Sequence, residues 1–296
     1  MYKRQALRQR IEGLAWMAPE TKAKALEKLA AMRVKIGYPD VWRDYSALSV
    51  SRGSYLENVL AAGAFEVKRN LAKLGQPIDR NEWGMSPQTN NAYYSPNMNE
   101  ICFPAGILQP PYFDPAADDA VNYGNIGATI GHEMTHGFDD QGRLYDAQGN
   151  MHDWWTPADV KAYSERTQLI VKQFNAFEAL PGKHINGELT LGENIADLGG
   201  LLIAWDAWKL SQNGLPAAQP IEGFTPEQRF FMGYAETWRT VIRPEALGVA
   251  LVTDVHSPAK WRVNGPLANL PEFWQAFQIP EGHPMRRPDA LRPTIW

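Results

Sequence analysis

Cysteine is nearly missing from this chain of 296 residues, in which Cys102 stands alone. No disulfide can form within it, and a zinc site built from cysteines is excluded. An excess of one charge is missing too. Against 33 Asp and Glu stand 29 Lys and Arg, for a formal net charge of −4, so electrostatics gives no reason to expect nucleic acid or an anionic membrane as partner. Long apolar runs are also wanting. "GGLLIAW" is the longest, well short of the ~18 residues of a transmembrane span. The opening "MYKRQALRQRIEGLAW" carries charge every few residues and has no signal-peptide pattern. Histidine is sparse at six residues, so any clustering of it carries information.

What is present is the composition of a globular protein, 44% apolar and 21% charged, with enough length for one large domain or two smaller ones. The 11 tryptophans read mainly as core and helix packing. The first 75 residues read as helix. "APETKAKALEKLAAM" sets Pro19 near a helix start and lines up Ala25, Leu26, Leu29 and Met32 on one face. "IGYPD" breaks it, and "SYLENVLAAGAFEVKRNLAKLG" predicts a second amphipathic helix ending at Gly75. A loop over 76–88 is the best boundary, dividing a helical segment (1–85) from a second unit (86–296).

The strand-like region is "NAYYSPNMNEICFP", two short runs about a turn. Helices follow in "DDAVNYGNIGATIGHEMTHGFD", in "TPADVKAYSERTQLIVKQF" with Thr156 as N-cap, in the apolar "TLGENIADLGGLLIAWDAW", and in "TPEQRFFMGYAETW" with Thr225 as N-cap. "RLYDAQGNMHDWW" reads as a small hairpin or irregular excursion. The predicted class is α+β, predominantly helical, with a small sheet.

Within "DDAVNYGNIGATIGHEMTHGFD", His132 and His136 stand four apart with Glu133 between them. On a helix such a pair shares one face and can reach a single ion. Glu133 lies beside that face, where a carboxylate can take the proton of an attacking water. The plain alternative is two surface histidines with an incidental acid. A catalytic zinc site needs a third protein ligand, and "GENIADLGG" offers Glu193 and Asp197, again four apart. Glu193 completes a His, His, Glu set, while Asp197 can accept a bond from the other ring nitrogen of a liganding histidine. The competing reading makes "TLGE" a capping box, with Glu193 merely capping its own helix. Against it, the apolar surroundings would bury Asp197 without a partner, which is costly. Further on, "TDVHSPAKWRVNGPLAN" carries His256 and Arg262 on a segment punctuated by Pro and Gly. His256 can donate to a developing oxyanion and Arg262 can clamp a substrate carbonyl or carboxylate; a solvent-exposed loop histidine is the ordinary alternative.

Four blocks together resemble the neprilysin-like (M13) zinc metallopeptidases, which include bacterial PepO-type endopeptidases: "NNAYYSPNMNEICFPAGILQPPYFD", "IGATIGHEMTHGFDDQGRLYDAQGNMHDWW", "GELTLGENIADLGG" and "DVHSPAKWRVNGPLANLPEF". They occur in family order from about residue 90 to 280. The resemblance implies a thermolysin-like zincin (gluzincin) catalytic domain in 86–296 and one zinc ion held by His132, His136 and Glu193. It implies that Glu133 is the general base and that Asp197 and Asp139 support the zinc histidines, Asp197 being also described as a proton donor. His256 matches the histidine that stabilises the transition state, Arg262 the arginine that holds substrate backbone, and Asn91 and Ala92 the edge strand that pairs with an extended peptide. The implied activity is hydrolysis of internal bonds of oligopeptides on the amino side of large apolar residues. The implied setting is extracellular or periplasmic.

The chain also departs from the family. It resembles members only from the end of their N-terminal region onward, which implies an N-terminal lobe missing from this chain. Its tail "RPTIW" places Pro293 where animal members carry a cysteine. The rival readings are a non-catalytic zinc- and peptide-binding fragment and a zinc aminopeptidase. The second would need an acidic cluster for a free amine, and none stands beside "NNAYY".

Overall fold

In the computed structural model, residues 2–216 and 219–296 are described. The chain opens with α1 (Tyr2–Gly13) and α2 (Pro19–Ala31), then runs into β1 (Arg33–Gly37) and α3 (Tyr55–Leu71). After a long irregular stretch come β2 (Tyr93–Ser95) and β3 (Glu100–Pro104). Next, α4 (Asp119–Asn122) passes through a π-helical turn, Tyr123–Gly127, into α5 (Ala128–Thr135). The remainder is α6 (Pro157–Asn175), the small pair β4 (Glu178–Leu180) and β5 (Lys183–His184), and α7 (Leu191–Ser211). It closes with α8 (Pro226–Thr237), α9 (Pro244–Thr253), α10 (Ala259–Leu267) and α11 (Pro271–Phe277). Helix predominates over a small sheet, as the sequence predicts.

The core is built around α7, which α1, α5, α6 and α10 surround. Its apolar composition has the expected consequence: Ile195, Ala196, Leu201, Ile203, Ala204 and Ala207 are wholly buried. Trp205 and Trp208 pack on Phe230 and Phe231 of α8, with ring centroids 5.1–5.7 Å apart, so these tryptophans do serve packing. Thr156 and Thr225 cap α6 and α8 through their hydroxyls, and Thr225 forms a full capping box with Gln228.

The α5–α7 crossing depends on glycine. A methyl on Gly131 would lie 2.6 Å from the Gly200 carbonyl oxygen, and one on Gly200 would lie 2.6 Å from the Ala128 oxygen and 2.7 Å from the His132 nitrogen. Only bare backbone permits this approach, and it brings the Glu193 end of α7 to the histidines of α5. Gly200→Ala is expected to destabilise the fold by about 1–3 kcal/mol through overpacking. It should also weaken metal binding, since the helices must part; thermal unfolding and a zinc titration of the same variant check both.

Two features of the first 85 residues differ from the sequence reading. The segment is not all helix, because β1 pairs parallel with β3 in a sheet of order β1-β3-β2. Its pattern is inverted, which hides it from a search for buried apolar alternation: Val34 and Ile36 are exposed, while Lys35 is buried in an ion pair of 2.7 Å with Glu100. The helix α3 forms where expected, N-capped by Ser54, yet none of its residues is buried. Tyr55, Leu56, Leu60, Val67 and Leu71 are 60–83% exposed, an unusual amount of apolar surface for one helix.

Candidate active site

Helix α5 carries His132 and Glu133, and His136 follows its last residue with helical dihedrals. One turn apart, the two rings present Nε2 atoms 3.0 Å from each other. Glu193, in the first turn of α7, lies opposite, with its carboxylate oxygens 3.2 Å from His132 Nε2 and 3.6 Å from His136 Nε2. The capping alternative is not realised. Thr190 occupies the N-cap position, but its side chain makes no capping bond, and the Glu193 carboxylate faces the histidines.

Behind each histidine stands an acid. His132 Nδ1 is 2.9 Å from Asp197 Oδ1, and His136 Nδ1 is 2.7 Å from Asp139 Oδ2. With Nδ1–H donated to these carboxylates, both Nε2 lone pairs point at the same spot as the Glu193 oxygens. Three electron-rich atoms without a cation between them repel one another, so the donor set suits a divalent ion. His132, His136 and Glu193 indeed form a group able to hold one, and two imidazoles with one carboxylate match zinc. The protons respond to the same field. Burial disfavours a charged His132, yet its bonds to Asp197 and Glu193 win and push it up to about 10. Burial likewise works against an ionised Glu193, but His132, His136 and Arg262 hold it well below the usual carboxylate range.

Arg262 of α10 closes the cluster from below. Its Nε and Nη2 donate to the two Asp197 oxygens, each at 2.7 Å, and Nη2 lies 3.3 Å from Glu193. The guanidinium also sits 4.1 Å from the Trp238 ring centroid. This buried fork resolves the difficulty foreseen for Asp197: the acid is paired twice, with His132 and with Arg262. His256 stands at the rim, its Nε2 3.3 Å from Glu193 Oε2 and its Nδ1 2.7 Å from Asp254 Oδ1. Asp254 was not foreseen, although its position two residues before His256 is the available signal.

Glu133 is 6% exposed, and it lines a cavity of ≈390 Å³ together with the histidines, Glu193, His256 and Arg262. Burial raises its pKa, with the histidines pulling the other way. Asn91 and Ala92 line the same cavity and lead into β2, which is an edge of the sheet. Ile107, Tyr112, Ala128, Thr129 and Trp238 also line it. Of these only the histidine helix was anticipated as part of the site; ring and aliphatic residues so far apart in sequence give no local signal.

The sequence pattern defining peptidase family M13 matches residues 91–292, and a second pattern of that family matches 3–39. The chain belongs to peptidase family M13. Among curated M13 relatives, an endothelin-converting enzyme homolog of Locusta migratoria is 42% identical over 291 residues, covering 95% of this chain and 40% of that protein. Among solved structures, the zinc metalloprotease of Mycobacterium tuberculosis in complex with an inhibitor superposes with a TM-score of 0.96 at 48% identity, over 100% of this chain and 46% of its own. PepO from Lactobacillus rhamnosis gives 0.88 at 41% identity, over 100% and 45%. This M13 chain therefore spans less than half the length of the relatives it matches.

Proposed function

We propose that this chain is the catalytic portion of a zinc-dependent metalloendopeptidase that cleaves internal bonds of oligopeptides. The observation that carries the reading is the convergence of His132 Nε2, His136 Nε2 and a Glu193 oxygen beside a buried carboxylate, Glu133, in one cavity. His132, His136 and Glu193 hold the ion. When bound, zinc supplies Lewis-acid polarisation of the scissile carbonyl and makes water more acidic. Asp197 and Asp139 fix the histidine tautomers and ring planes. Glu133 accepts the proton of the attacking water and delivers it to the leaving amine; its raised pKa brings it nearer the operating pH, where both transfers are efficient. Asp254 Oδ1, 2.7 Å from Nδ1 of His256, orients the ring so that its Nε2 side meets the oxyanion as a donor.

Substrate binding follows from the same wall. An extended peptide adds to the open edge at Asn91 and Ala92 through main-chain pairing. Arg262 keeps Nη1 outside its bonds to Asp197 and Glu193 and reaches a substrate carbonyl with it. Ile107, Tyr112 and Trp238 of the lining accept a large apolar side chain, and the M13 resemblance puts cleavage on the amino side of such a residue. The exposed apolar face of α3 fits coverage by the N-terminal lobe of the longer relatives. An extracellular or periplasmic setting accords with M13 membership, and no described helix is long and apolar enough to cross a membrane.

An internally quenched peptide with a blocked N-terminus tests the activity. Cleavage is expected, abolished by a strong chelator and restored by zinc. Zinc-dependent binding without cleavage would favour the non-catalytic reading, and dependence on a free amine would favour an aminopeptidase.

A further inference from the structure

A lysine from the far N-terminal part of the chain is built into the support of the metal centre. Lys28, on α2, is wholly buried at 0% exposure, a rare state for a lysine. Its Nζ donates to the Gly142 and Tyr145 carbonyl oxygens, each at 2.7 Å, and lies 5.6 Å from the Phe138 ring centroid and 5.9 Å from that of Tyr94. Burial lowers its pKa to about 7, while Asp139 and Asp146 favour the charged form. Either protonation state retains two N–H groups for the two carbonyls.

Gly142 is the joint. Its amide donates to Asp139 Oδ1 at 2.6 Å, and Gln141 N donates to the same oxygen at 2.9 Å. Its Cα is pressed so close to His136 that an added methyl would fall 1.7 Å from the His136 carbonyl oxygen. The other Asp139 oxygen, Oδ2, holds His136 Nδ1. We infer that Lys28 is a positioning residue for the metal centre: by gripping Gly142 and Tyr145 it fixes the 139–145 turn, and through Asp139 it fixes the imidazole of His136. Lys28 thus ends on a residue that meets both the histidine and its carboxylate.

The inference rests on the zinc reading, and two readouts on the full chain separate them. In the metal-free protein, Lys28→Met is expected to speed amide hydrogen exchange at Gln141 and Gly142 by about tenfold or more, as local opening becomes easier. With zinc, affinity should fall by about tenfold, the lower end of what loss of an outer partner costs. The double variant Lys28→Met/Asp139→Ala should bind zinc no more weakly than Asp139→Ala alone, because both act along one path. Thr225→Ala, which removes a remote helix cap, should lower the melting temperature and leave zinc affinity unchanged. Unaltered exchange and affinity, additive losses in the double variant, or a Lys28→Met chain that does not fold would each overturn the proposal. Were the parent chain to bind no zinc, the zinc reading would fail, and the exchange measurement would still decide whether Lys28 holds the turn.

Discussion

Glu133→Gln is expected to bind zinc as the parent chain does and to lose on the order of a thousandfold in peptide turnover, within the range for a general acid–base residue. Gln keeps the shape of Glu, and position 133 supplies no atom to the group able to hold metal, so the ligand set survives. What disappears is the one buried carboxylate of the cavity left free to carry a proton. Glu193 and Asp197 are committed to histidines and Arg262, and Asp139 to His136 and two backbone amides. The loss should fall on kcat with KM little changed, because a proton in flight matters only in the transition state. Metal content and steady-state kinetics on the same preparation check it, and turnover at the parent rate would remove Glu133 from the mechanism.

His132→Ala is expected to abolish metal binding altogether. His132 contributes the nitrogen nearest Glu193, at 3.2 Å, and it bridges Glu193 to Asp197. Its removal leaves two donors where three are needed, a heavier loss than the roughly 10–100-fold that follows loss of an outer partner. The variant should therefore show no zinc-induced rise in melting temperature, because a ligand stabilises only a fold that binds it. The parent chain should show a rise that grows with zinc concentration. A His132→Ala protein that still melts higher with zinc would place the ion elsewhere.

The donors of this site were legible in the sequence because helical periodicity is local. A spacing of four fixes His132 with His136 and Glu193 with Asp197 whatever the rest of the chain does. The meeting of the two pairs was not legible from spacing, since it depends on Gly131 and Gly200 abutting across α5 and α7, and nothing in a glycine names its partner. Lys28 escaped for a different reason: a lysine on an amphipathic helix reads as solvated, and only the tertiary structure reveals two carbonyls waiting at the end of its stem. The strand β1 escaped because its apolar residues face outward. The helix α3 was found by its periodicity, but periodicity cannot say whether a face is covered.

The paired bonds from Arg262 to Asp197 bear on how such a protein is made. Translation delivers α5 and α7 well before residue 262 leaves the ribosome. Until then the carboxylate beneath His132 lacks its cationic partner, a buried charge whose separation from its mate costs several kcal/mol. The pairing of Asp197 is thus complete only once α10 has docked.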